Sequence, residues 1–130
     1  MACATSATAP LFHWSEVTEG AHINAIGAFT FHMCEVDAET LAHARIVVDE
    51  RKSALVEAGD LLQALEIGRI AGAETWIELG ELVRGLRQGR QATDEITFFK
   101  SVGIAVQDVA AALHVYTRAR ELGIGIEVDI

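Results

Sequence analysis

The 130-residue sequence predicts an α/β fold built on a parallel sheet, and three observations carry that prediction. Two short apolar runs, Ala21–Gly27 and Ala44–Asp49, the first bounded by glycines and the second rich in β-branched residues, read as buried strands. Between them Asp37–His43 offers an N-capping aspartate, a first-turn glutamate and good helix formers, which makes a β-α-β rhythm. Strands joined through a helix run parallel. Third, one proline and 11 glycines leave no Ser/Gly-rich or Pro-rich tract that could divide the chain, so residues 1–130 are expected to form a single unit.

The remaining elements follow in order. From Glu50 to Leu65 the residues Leu55, Ala58, Leu62 and Leu65 recur at helical steps, and Gly59-Asp60 interrupts them, which predicts one short helix stopping there and a second being capped. Trp76–Arg84 carries Trp76, Leu79, Leu82 and Val83 on one helical stripe and is predicted to be a helix, with Gly85 and the polar segment 87–94 as a turn. Ile96–Lys100 is a third β-prone run, its Phe98-Phe99 pair most simply core. Val102–Leu122 carries Ile104, Val106, Val109, Ala112, Leu113 and Tyr116, then Arg118, Arg120 and Gly123: a long helix with basic residues in its last turn and a glycine stop. No fixed-period repeat is present, which removes solenoids and propellers.

Composition excludes several function classes. With 51% hydrophobic residues the chain can bury a core and is not disordered. Ten basic against 19 acidic residues leave a net charge of −9, scattered in twos and threes as on a solvated surface, so a nucleic-acid partner is not expected. Cys3 and Cys34 make no disulfide framework, zinc knuckle or redox pair, which points to a reducing, cytoplasmic compartment. Met1–Pro10 has neither a basic nor an apolar leader region, and no run of about eighteen apolar residues occurs, so no signal peptide or membrane span is expected. No Gly-x-Gly-x-x-Gly follows a strand and no Walker sequence is present, so this chain alone builds neither common phosphate cradle.

Six strings make the chain recognisable: Cys3-Ala-Thr-Ser-Ala-Thr-Ala-Pro10, Gly20-Ala-His-Ile-Asn-Ala-Ile-Gly27, Val47-Val-Asp49, Ala58-Gly-Asp60, Glu78-Leu-Gly-Glu-Leu82 and Asp94-Glu-Ile-Thr-Phe-Phe-Lys-Ser-Val-Gly103. Each is weak alone; together, in this order and spacing, they resemble the C-terminal part of the ornithine cyclodeaminase/mu-crystallin family. The resemblance implies the second half of a Rossmann domain, with Met1–Thr5 the remainder of a strand and a long C-terminal helix at the end. It places the glycine fingerprint and the residues gripping the substrate carboxylate in a portion outside this chain. A homodimer or higher homo-oligomer is also implied, since half of a doubly wound sheet leaves an apolar strand edge to cover.

Sheets of this kind bind ligands beyond the carboxyl ends of their strands. The resemblance implies that Thr5 and Ser101 line the nicotinamide half of an NAD or NADP site by hydrogen bonds, that Ile26, Gly27 and Ala28 line it by close backbone approach, and that Val102 lies against the substrate. The sequence places a hydroxyl and free backbone N–H groups of Ser101–Gly103 in this crevice; read without a ligand, Gly27 is a turn glycine and Ser101 a helix N-cap. Phe29 stands where the cyclodeaminases carry an acid/base aspartate, and a phenyl ring cannot exchange a proton. Phe31, Cys34 and Gln88 depart from the family pattern as well.

No catalytic residue is therefore assigned to this chain, and no metal site, because Cys3, His13, His22, His32 and Cys34 form no four-ligand set. Glu35, Asp37, Asp49, Asp60 and Asp108 are explained by strand ends, caps and a helix face, and His114 and Tyr116 by packing or surface. Two readings stay open. One is part of a nicotinamide-dependent oxidoreductase of imine-reductase or amino-acid-dehydrogenase type, acting on a small amino acid or imine, whose cofactor binds mainly through residues outside this chain. The other is a self-associating, non-catalytic module.

Overall fold

A computed structural model describes residues 1–128. Five strands, β1 (Ala2–Cys3), β2 (His22–Ala25), β3 (Ala44–Val48), β4 (Ile77–Glu78) and β5 (Ile96–Lys100), form one sheet in the order β1-β2-β5-β3-β4. Every pair in it is parallel. Placing β5 between β2 and β3 means the chain leaves the sheet after β3, adds an edge strand, and returns to the middle. The register sets Cys3 beside Ala25, Ala25 beside Lys100 and Lys100 beside Val48, so four strands end in one row.

Alternation along the strands decides what faces the core. Ile23 and Ala25, Ile96 and Phe98, and Val48 point to one face, where they pack with Leu41, Ala54, Ala58, Leu61, Ala64 and Trp76. These last residues belong largely to three helices, α1 (Ala38–Ala42), α2 (Arg51–Glu57) and α3 (Gly59–Glu66). As the sequence predicts, Asp37 caps α1, its carboxylate accepting from the Thr40 N–H at 2.8 Å. The opposite face carries a polar cross-strand row: His22 Nδ1 lies 2.7 Å from Thr97 Oγ1, and Arg90 donates to the same hydroxyl.

Three expectations need correction. Trp76–Arg84 is not one helix: Ile77 and Glu78 pair with Val47 and Val48 as β4, and only Leu79–Val83 forms a helix, α4. The fully buried Trp76 lies before the strand, its carbonyl held by Arg51. The break between the two short helices falls at Ala58, not at Gly59-Asp60; Gly59 is the first residue of α3, and a Cβ there would lie 2.1 Å from the Met33 carbonyl oxygen, so the position admits no side chain. Asp60 accordingly caps nothing and turns inward.

The long C-terminal helix, α5 (Ala105–Leu122), begins three residues later than its apolar pattern and stops at Gly123, whose φ of 63° is the left-handed conformation expected of such a stop. None of its residues is buried, and Val106, Val109, Leu113 and Tyr116 stand exposed along one side. Among the described residues no helix is long and apolar enough to cross a membrane.

Candidate functional site

The site is the crest formed where β1, β2, β5 and β3 end side by side. Thr5 follows β1, Ile26-Gly27-Ala28 follow β2, Ser101-Val102-Gly103 follow β5, and Asp49 follows β3. Backbone bonds tie these ends together: Ile26 N donates to Cys3 O at 2.9 Å, Ser101 N to Ala25 O at 3.2 Å, and Asp49 N to Lys100 O at 3.2 Å.

Glu35, fully buried, is the hub of the first half of this crest. Its Oε1 accepts from the Thr5 N–H at 2.5 Å and the Thr5 hydroxyl at 2.8 Å, and its Oε2 accepts from the Gly27 N–H at 2.8 Å. Asp60 then holds Glu35 from behind: Asp60 Oδ1 accepts from the Glu35 N–H at 2.6 Å and the Val36 N–H at 3.0 Å. Asp60 Oδ2 lies 2.9 Å from Lys100 Nζ, both side chains wholly out of water. Burying a charge without a partner is costly, so each member of this chain requires the next.

Asp49 organises the second half. Its Oδ2 accepts from the Ser101 hydroxyl at 2.8 Å and from the Val102 and Gly103 N–H groups, each at 3.0 Å. The backbone N–H groups expected to be free here are therefore all taken, since a carboxylate of the same chain fills the nest that a ligand anion would use. Ser101 is not a helix N-cap either; α5 is preceded by Ile104, which offers no capping side chain.

Of the predicted site residues, Thr5, Gly27 and Ser101 do meet at adjacent strand ends, with Ile26 half exposed between them. Ala28 is fully buried and Val102 packs partly against the core. Gly27 has no room for a side chain: a Cβ would lie 2.1 Å from Thr5 O and 2.4 Å from Glu35 Oε1. Gly103, in contrast, has φ of 83° and open space where a side chain would stand. Phe29 and Phe31 are 50% and 42% exposed beyond β2, leaving an apolar segment where the cyclodeaminase pattern would place an acid.

The thiols are inert by their surroundings. Cys34 is buried, donates weakly to the Val36 carbonyl, and is pushed up to about 11 by burial and by the nearby Asp60 charge. Burial, with the charges of Glu35 and Asp60, likewise raises Cys3. Among the described residues no three His, Cys, Asp or Glu side chains gather as a metal would need.

Explaining Glu35, Asp49 and Asp60 as strand ends and caps misses their common role, and Lys100 draws no notice in the sequence at all. One signal was available: strand alternation puts Ile96, Phe98 and Lys100 on the same side, so the lysine had to enter the core and find an acid there.

Comparison with known proteins extends these observations. The model of the ornithine cyclodeaminase/mu-crystallin family matches residues 1–123. A Delta(1)-pyrroline-2-carboxylate reductase of Bacillus cereus is 36% identical over 130 residues, covering 99% of this chain and 40% of that protein. The ketimine reductase mu-crystallin of Macropus fuliginosus is 40% identical over 112 residues, or 86% of this chain and 33% of that one. Among solved structures, the Thermococcus litoralis Delta(1)-pyrroline-2-carboxylate reductase in complex with NADH and L-proline superposes with a TM-score of 0.89 at 37% identity, covering 98% of this chain and 39% of that one. An archaeal alanine dehydrogenase dimer with bound NAD gives 0.86 at 38% identity, over 99% of this chain and 40% of that one. The chain thus spans about two fifths of the length of the relatives it matches.

Proposed function

This chain belongs to the ornithine cyclodeaminase/mu-crystallin family, and on that premise we propose that it supplies the nicotinamide side of an NAD- or NADP-dependent oxidoreductase. The reaction is hydride transfer to the imine of a small amino acid, or the reverse oxidation. The observation carrying this reading is the row of parallel strand ends that gathers Thr5, Gly27 and Ser101, the position where such sheets hold a ligand. Thr5 and Ser101 meet the nicotinamide, Ile26, Gly27 and Ala28 form the floor beneath it, and Val102 borders the substrate. The cofactor supplies the hydride; these residues orient its ring and exclude water.

Phe29 favours imine reduction or amino-acid oxidation over cyclodeamination, because hydride transfer depends on orientation more than on a protein acid at that position. The pyrophosphate grip belongs to a portion outside residues 1–130, so the chain by itself binds cofactor weakly and is inactive. The active form is a cytoplasmic homodimer or higher homo-oligomer, a reading supported by the alanine dehydrogenase dimer among the relatives.

An NADH fluorescence titration tests this. The purified chain should show no tight binding, whereas the chain joined to a preceding Gly-x-Gly-x-x-Ala strand-turn-helix half should bind NADH and reduce a cyclic imine carboxylate. A joined protein that binds no nucleotide would leave the second reading, a self-associating module without catalysis. The uncovered apolar side of α5 is the observation that favours it.

A further inference from the structure

The two hydroxyls on the crest share a feature that determines what they can recognise. Glu35 and Asp49 can only accept at these positions. Both Glu35 oxygens face a backbone N–H, and so do both Asp49 oxygens, the Asp49 Oδ1 accepting from the Glu50 N–H at 2.8 Å. The Thr5 and Ser101 hydroxyls, at 2.8 Å from these carboxylates, are therefore the donors in both contacts.

Each hydroxyl also accepts one weak backbone bond, Thr5 from the Ala7 N–H and Ser101 from the Gly103 N–H, both at 3.2 Å. What remains free on each oxygen is a lone pair and no hydrogen. We propose that Glu35 and Asp49 are positioning residues which turn Thr5 and Ser101 into hydrogen-bond acceptors, so that the crest selects a ligand group carrying N–H and rejects an anion. The inference rests on the nicotinamide reading above and deepens it. Because β2 stands between the strands that carry them, Thr5 and Ser101 each take a separate N–H, from a carboxamide NH2 or a protonated imine, never from a carboxylate or phosphate. The occupied nest at Val102 and Gly103 removes the donors an anion would have needed, and the two buried carboxylates behind the hydroxyls repel it.

The mononucleotide half of the cofactor separates this claim from the broader one, because its subsite lies within this chain. In a 15N NMR titration of the 130-residue chain at millimolar ligand, nicotinamide mononucleotide should shift the Thr5, Ala7, Gly27 and Ser101 amide signals. Nicotinic acid mononucleotide, with a carboxylate in place of the carboxamide, should bind at least about tenfold more weakly. L-Proline, a cyclic secondary ammonium, tests the substrate as the source of N–H: shifts at Ser101 with it and none with the nucleotide amide would assign the donor to substrate.

Thr5→Val and Ser101→Ala remove the acceptors at sites with solvent access and should each narrow the amide-to-acid ratio. Glu35→Gln, its amide oxygen still accepting from the Thr5 N–H and hydroxyl, removes the negative charge that repels an anion and should narrow that ratio too, an effect that simple loosening would not produce. Equal binding of amide and acid, or a ratio unchanged in the Thr5 and Ser101 variants, overturns the selectivity while leaving the cofactor site standing. No shift with the nucleotides or L-proline overturns both.

Discussion

A methyl group on Gly27 would meet the Thr5 carbonyl oxygen at 2.1 Å and its N–H nitrogen at 2.4 Å, both backbone atoms that cannot swing aside. Gly27→Ala should therefore separate the ends of β1 and β2 and cost about 1–3 kcal/mol, read as a lower urea midpoint with an unchanged slope. Cys34 makes a second prediction at this scale. Its thiol titrates near 11 in the folded chain against 9.0 when unperturbed, so below pH 9 both states keep the proton and its contribution is whole. Between about 9 and 11 only the unfolded chain loses it, and stability should fall with rising pH. A Cys34→Ala variant should lose that alkaline slope in pH-dependent urea melts, and in the parent the thiol should react with a disulfide reagent at pH 8 only after unfolding.

Among the elements, β4 shows how a helical pattern yields to pairing. Trp76, Leu79, Leu82 and Val83 are spaced for a helix, yet the free edge of β3 captures Ile77 and Glu78 first. Arg51 at the start of α2 then fastens the result: its guanidinium donates to the Trp76 carbonyl at 2.9 Å and to Glu81 at 2.9 Å, while its N–H donates to Glu78. Arg51→Ala should loosen β4 and α4 together at a cost of about 1 kcal/mol, the value kept low because the group is partly solvated. Faster amide exchange at Ile77 and Glu78, with β2 and β5 unaffected, would be the mark of it.

At the scale of the whole molecule, the body and α5 are energetically separate. The helix buries none of its residues, so truncation after Ile104 should move the unfolding free energy by no more than about 0.5 kcal/mol in a denaturant melt. A larger loss would mean that α5 is packed in solution. Its apolar side is legible in the sequence as a stripe at helical spacing, and the structure leaves that stripe exposed. The body could be read further: the strand runs, the capped α1 and the glycine stop are all local, short-range signals.

What the sequence determined by itself was therefore the class of fold, three of the five strands with a fourth implied by the family resemblance, and the family, because periodicity, caps and ordered motifs are properties of neighbouring residues. Tertiary structure alone decided that Glu35, Asp49, Asp60 and Lys100 join into the support of the crest, and that the backbone donors after β5 are already occupied. Glu35 and Asp60 lie far apart in the chain from Lys100 and become partners only when β5 inserts between β2 and β3 and carries the lysine into the core beneath them. Electrostatic partnership in a water-free interior depends on distances that no local pattern contains.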